Sequence, residues 1–126
     1  MADRRVLLID DNQTFLTHAR RFLEYQPGLQ VVGAYSSPLK ALTDMVRLKP
    51  DVCLLDISMP ECNGLRLISK IRRHVPSARI VMLSSHDDES YRAASLEIGA
   101  HAFVSKTAMD EDLLQAISSV LPSRRI

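Results

Sequence analysis

Nine consecutive residues, Val52-Cys53-Leu54-Leu55-Asp56-Ile57-Ser58-Met59-Pro60, limit the choice of fold more than any other stretch. Four apolar residues run directly into a carboxylate. An apolar run this short and without alternation reads as a strand covered on both faces, as in a parallel sheet. Pro60 has no N–H for a ladder, so the run cannot continue past it as a central strand. Asp56 is thereby placed where a buried strand opens into a loop. In open parallel sheets, ligands bind just outside the carboxyl ends of the strands. A lone aspartate there caps a turn as readily as it does chemistry, so the remaining strand ends have to decide.

Along the chain, short apolar runs alternate with segments of helical period. Val6-Leu7-Leu8-Ile9 is the first strand and runs into Asp10-Asp11-Asn12. From Gln13, Phe15, Leu16, Ala19, Phe22 and Leu23 recur at helical spacing until Pro27-Gly28. Val31–Tyr35 is the second strand. Ser37-Pro38 supplies an N-cap and a first-turn proline, and Leu39, Leu42, Met45 and Val46 are expected to form the buried face of the helix they start. The strand ending at Asp56 follows Pro50. Leu65, Ile68 and Ile71 mark a third helix, ending before Pro76. Ile80–Leu83 delivers Ser84-Ser85. Asp87, Asp88 and Glu89 suit the first turn of a fourth helix, with Gly99 at its end. Ala102-Phe103-Val104 delivers Ser105-Lys106. Thr107 and Asp110 have the spacing of a capping box for a last helix through Leu113, Leu114, Ile117 and Val120.

Five strands alternating with five helices predict an α/β doubly wound parallel sheet, its crossovers right-handed and both faces covered. The 126 residues are the length of one domain, expected over 1–121 with 122–126 as a tail or truncated linker. A net charge of +1 argues against a nucleic-acid surface on this domain. No apolar run is long enough to span a membrane, and the start does not read as a signal peptide. Cys53 and Cys62, one in a buried strand and one in a loop, do not make a disulfide framework. Reduced thiols and a cytoplasmic location are the expectation.

In a doubly wound sheet, Asp10-Asp11, Asp56, Ser84-Ser85 and Ser105-Lys106 converge on one rim. Three carboxylates close together stay ionised cheaply only around a cation. Few oxygen ligands with room for water suit magnesium better than calcium. A lysine and a hydroxyl beside them make a place to hold a phosphoryl group. One carboxylate can also act as the nucleophile, forming an aspartyl phosphate.

These residues resemble the receiver domains of two-component response regulators. Asp10-Asp11 looks like that family's acidic pair. The stretch from Asp56 through Met59-Pro60 to Asn63-Gly64 looks like its phosphoacceptor segment, and Ser84 and Lys106 look like its hydroxyl and lysine positions. The resemblance covers residues 4 to 121. It implies a flavodoxin-like (βα)5 fold with strand order 2-1-3-4-5. It implies a phosphorelay in which Asp56 accepts phosphate from a histidine kinase or histidine phosphotransfer protein and otherwise no enzyme. Magnesium is then held by Asp11, Asp56 and the Ser58 carbonyl, with Asp10 acting through water. Lys106 and Ser84 contact the phosphate. Ser84 and Phe103 match the switch positions, and Ser58 and His86 match those that tune dephosphorylation. The implied output is a phosphorylation-dependent homodimer through the fourth helix, fifth strand and fifth helix. The family usually has proline after the lysine, whereas this chain has Thr107. A cis bond to a non-proline costs about 3–4 kcal/mol, so a trans Lys106–Thr107 peptide is expected. Lys-Thr at this place resembles receivers joined to helix-turn-helix transcription regulators.

Two other classes compete. Asp10-Asp11-Asn12-Gln13-Thr14 nearly matches the nucleophile loop of haloacid-dehalogenase-type phosphatases, but Asn12 stands where that class needs a proton-donating acid. A binding module of the same fold that is never phosphorylated would not need the full polar set. No glycine-rich nucleotide loop is present.

Overall fold

A computed structural model describes residues 3–56, 58–59, 62–85 and 89–121, the side chains of 58–59 and 62–64 excepted. The parallel sheet is made of β1 (Arg4–Ile9), β2 (Leu29–Tyr35), β3 (Val52–Asp56), β6 (Arg79–Ser84) and β7 (Ala102–Ser105), in the order β2-β1-β3-β6-β7. Counting these five alone, the order is the expected 2-1-3-4-5. Between them in sequence, β4 (Ser58–Met59) and β5 (Cys62–Asn63) form a small antiparallel pair directly after β3. The sequence did not announce this pair, because two-residue strands are too short to carry a period.

The three inner strands explain themselves residue by residue. In β1, Val6 and Leu8 point to one face and Leu7 and Ile9 to the other, as the strand period demands. β3 and β6 repeat this, so Leu54, Val81 and Leu83 join the first face, and Cys53, Leu55, Ile80 and Met82 the second. The first face is covered by α1 (Gln13–Glu24) through Leu16, Ala19 and Leu23, and by α5 (Met109–Val120) through Met109, Leu113 and Ile117. The second is covered by α2 (Pro38–Leu48) through Ala41 and Met45, and by α3 (Gly64–His74) through Leu67, Ile68 and Ile71. Each large side chain fully buried this way contributes about 1.5–3 kcal/mol.

Two local expectations are corrected. The buried face of α2 runs through Pro38, Ala41 and Met45. Leu39 and Val46, read as part of it, are 67% and 54% exposed. Ser37 caps the first turn by accepting the Lys40 N–H, Pro38 is buried at its start, and the small Ala41 lets the helix approach the sheet. The capping box from Thr107 to Asp110 does not form. Lys106–Ala108 is a 3-10 turn whose N-cap is Ser105, its hydroxyl accepting from the Thr107 N–H. Thr107 Oγ1 lies 2.8 Å from Ser105 Oγ. α5 starts after that turn with no side-chain cap; Asp110, Glu111 and Asp112 in its first turn complement the dipole instead. No peptide bond among the described residues is cis, so Lys106–Thr107 is trans as expected.

The remaining helix, α4 (Glu89–Ile98), contributes least to the core, with Ser95 its one buried residue among those described. Asp87 and Asp88, expected in its first turn, lie outside the described residues. No described helix is long and apolar enough to cross a membrane.

Candidate functional site

The carboxyl ends of β1, β3 and β6 lie side by side, and the turns that follow carry polar side chains over the rim. β1 delivers Asp10, which is 1% exposed. Its Oδ1 accepts the Asn12 N–H at 2.9 Å, which turns the chain. Asn12 Oδ1 in turn accepts the Phe15 N–H at 3.0 Å, capping α1. Asn12 therefore has a structural task of its own at the place where a phosphatase would keep an acid. β3 ends on Asp56, 4% exposed and in register with Leu83. One residue further along, β6 ends on the buried Ser84, which is in register with Ser105 of β7.

Asp10, Asp11 and Asp56 each offer a carboxylate oxygen, and these oxygens lie within 4.8 Å of one another. Asp10 and Asp56 are buried and Asp11 is exposed. Lys106 reaches back from the end of β7, placing Nζ 2.6 Å from Asp10 Oδ2 and 3.4 Å from Asp56 Oδ1. The closer contact makes Lys106 the charge partner of the buried Asp10 Oδ2. One ammonium among three ionised carboxylates leaves two negative charges. The cluster thus fits a divalent cation: three carboxylate oxygens within 4.8 Å of one another share a single ammonium.

Phe15 was read from the sequence as a plain core residue of the first helix. In the structure the Lys106 ammonium sits 4.2 Å from the centroid of its ring. A cation over an aromatic face is held by the ring's quadrupole. Phe15 thus steers the lysine, and the only sequence signal for this was its place one helical turn beyond Asp11. Phe103 lies half-buried in β7, with the Arg92 guanidinium of α4 5.8 Å from its ring centroid. Arg92 was likewise not singled out as a partner of Phe103. Ser58 occupies the short antiparallel pair two residues past Asp56, its side chain outside the description. His86 lies outside the described residues altogether. Cys53, behind Asp56 in β3, is a free thiol that burial pushes up to about 12, so it is chemically inert in the fold.

A sequence profile of the family described as "Response regulator receiver domain" matches residues 6–118. The transcriptional regulatory protein DegU of Brevibacillus brevis is 32% identical over 116 residues, covering 92% of this chain and 49% of that protein. The oxygen regulatory protein NreC of Staphylococcus aureus (strain JH9) is 36% identical over 117 residues, covering 92% of this chain and 54% of that protein. The chain thus spans about half the length of these curated relatives. Among solved structures, a two-component response regulator of the LuxR family from Aurantimonas sp. SI85-9A1 superposes with a TM-score of 0.89 at 28% identity, covering 98% of this chain and 89% of that one.

Proposed function

The chain belongs to the response regulator receiver domain family, and from that premise we propose that it is a phosphoacceptor switched by phosphorylation of Asp56. The observation that carries this is the rim itself: a buried carboxylate at a strand end, two further aspartates beside it, and one lysine touching two of the three. An Asp56 carboxylate oxygen attacks the phosphorus of a phosphohistidine on a histidine kinase or phosphotransfer protein. The P–N bond breaks, and the released imidazole takes a proton from solvent. Asp11, Asp56 and the Ser58 carbonyl are the residues that would hold Mg2+, with Asp10 at one remove through water. Bound there, the metal would neutralise charge shared by the carboxylate and the incoming phosphoryl group. Lys106 and Ser84 then bind the new phosphate oxygens. Ser58 and His86 match the family positions that tune dephosphorylation, so replacing either should change how long the phosphate lasts. Apart from its own phosphorylation and dephosphorylation, the domain turns over no substrate.

Residues 1–121 make up the receiver on this reading. The name of DegU supports a role in transcription regulation, exercised in the cytoplasm through a further segment and not by direct DNA contact of this domain. Acetyl phosphate tests the central step. The wild-type chain should incorporate phosphate only with magnesium present, and Asp56→Asn should incorporate none. Normal labelling of Asp56→Asn means another acceptor.

A further inference from the structure

At the end of the sheet opposite Asp56, two arginine side chains converge on one imidazole nitrogen. β6 starts at Arg79, five residue steps or about 16 Å of strand from Ser84. His101 stands immediately before β7. Its backbone N–H donates to the Ile80 carbonyl at 2.8 Å, and the Ile80 N–H donates back to the ring Nδ1 at 3.0 Å. The imidazole thus completes the ladder where the strand has no carbonyl to offer. Because Nδ1 is an acceptor, the neutral ring carries its hydrogen on Nε2. That Nε2 lies 3.4 Å from Arg79 Nη1 and 3.5 Å from Arg72 Nη1. Guanidinium nitrogens only donate.

The arrangement is also built. Arg72, near the end of α3, donates from Nη1 to the Gly99 carbonyl at 3.2 Å. A Cβ on Gly99 would sit 2.5 Å from Arg72 Cδ and push the arginine stem aside, and the φ of +132° there favours glycine. Among the described residues, neither Arg72 nor Arg79 forms an ion pair with a carboxylate. Two like charges and a polarised N–H are thus held together, with the Gly99 carbonyl as acceptor for one arginine and no carboxylate paired with either among the described residues.

We propose that this pole is a binding site for a tetrahedral oxyanion of the phosphate class, held by Arg72, Arg79 and the Nε2–H of His101. Two guanidinium charges match a dianion, whereas a carboxylate leaves one of them over. Separate donors on α3, β6 and the turn before β7 reach different oxygens of one tetrahedron. The site shares no residue with the acidic rim, so it stands or falls independently of Asp56 chemistry. His101 is held below its ordinary value by burial, then by Arg79 and Arg72, and a bound anion cancels the last two.

The test is nitrogen-detected NMR of the histidine rings without magnesium, titrated in phosphate, in O-phosphoserine, in acetate and in chloride at matched ionic strength. Phosphate should raise the His101 value over that in chloride. A matching response to O-phosphoserine assigns the site to phosphate groups in general; a response to phosphate alone assigns it to the free ion. Arg79→Gln and, independently, the more exposed Arg72→Gln should raise the resting His101 value and remove most of the phosphate response. The proposal is overturned if phosphate and chloride give the same value, if acetate acts as strongly as phosphate, or if the response survives in the folded arginine variants.

Discussion

Asp10 and Asp11 are neighbours in sequence with different surroundings. Asp10 is buried, turns the chain through Asn12 and contacts Lys106. Asp11 is exposed at the mouth of the same cluster. Magnesium binds the folded rim and should raise the melting temperature. Asp11→Ala should remove most of that rise at little cost to the apo protein. Asp10→Ala should itself destabilise, because it strips Lys106 of its nearer partner. A magnesium response of equal size in Asp11→Ala and wild type takes Asp11 out of the metal shell. Phe15→Leu keeps apolar bulk but loses the face that holds the ammonium. It should slow labelling by acetyl phosphate with little change in melting temperature. His101 makes a pH prediction with a definite sign. Its folded-state value is held below the ordinary 6.5, so the unfolded chain takes up the proton first. Its contribution to stability is therefore intact above about pH 6.5 and is lost as pH falls below that. Urea unfolding between about pH 7.5 and 5.5 should show a shallower fall for His101→Asn than for wild type.

Among the elements, α2 is tied to the sheet by an interaction that the apolar pattern does not contain. Tyr35, the last residue of β2, donates its hydroxyl to Asp44 Oδ2 at 2.8 Å. Burial, then Asp44 as bond partner and charge, raise the phenol above its ordinary value. Tyr35→Phe should cost about 0.5–1.5 kcal/mol in chemical denaturation, and the added loss in Asp44→Ala/Tyr35→Phe should be less than the sum of the two single changes. The turn into α5 is a second such case. Thr107→Pro removes the N–H that Ser105 accepts and should displace Lys106, which a slower phosphorylation rate would register. An unchanged rate would show that Lys106 does not depend on that turn.

For the molecule as a whole, the question is how phosphate at one rim reaches a partner. Ser84 ends β6 and Lys106 follows β7, so the loops that would bind phosphate lead into α4 and α5. α4 has the thinnest attachment to the core, and elements of that kind move at low cost. It exposes Tyr91, Leu96 and Ile98, and its Arg92 lies against the Phe103 ring. Exposed Glu89, Arg92, Glu97, Glu111 and Asp112 give α4 and α5 both signs of charge. Our reading is that this α4–β7–α5 face pairs with a second copy after phosphorylation. A beryllofluoride mimic should slow amide exchange there and shift sedimentation toward a dimer. Protection changes confined to α1 and α2, with no change in mass, would place the output elsewhere.

Much of this was legible in one dimension because the relevant signals are local. Apolar runs broken by helical periods specify a parallel doubly wound sheet, and the residue that ends each run is delivered to the rim whatever the distant chain does. Asp10, Asp11, Asp56, Ser84 and Lys106 were found that way. Helix rotation was not, since Leu39 and Val46 have the spacing of a buried face and lie outside it. Nor was the lysine's resting place over Phe15, the Arg92–Phe103 contact, or the meeting of Arg72, Arg79 and His101. Those partners lie from 11 residues apart, for Arg92 and Phe103, to 91 apart, for Phe15 and Lys106. Which of several arginines or aromatics ends up beside a given group depends on strand register and helix rotation together, and those are settled only when the two layers pack onto the sheet.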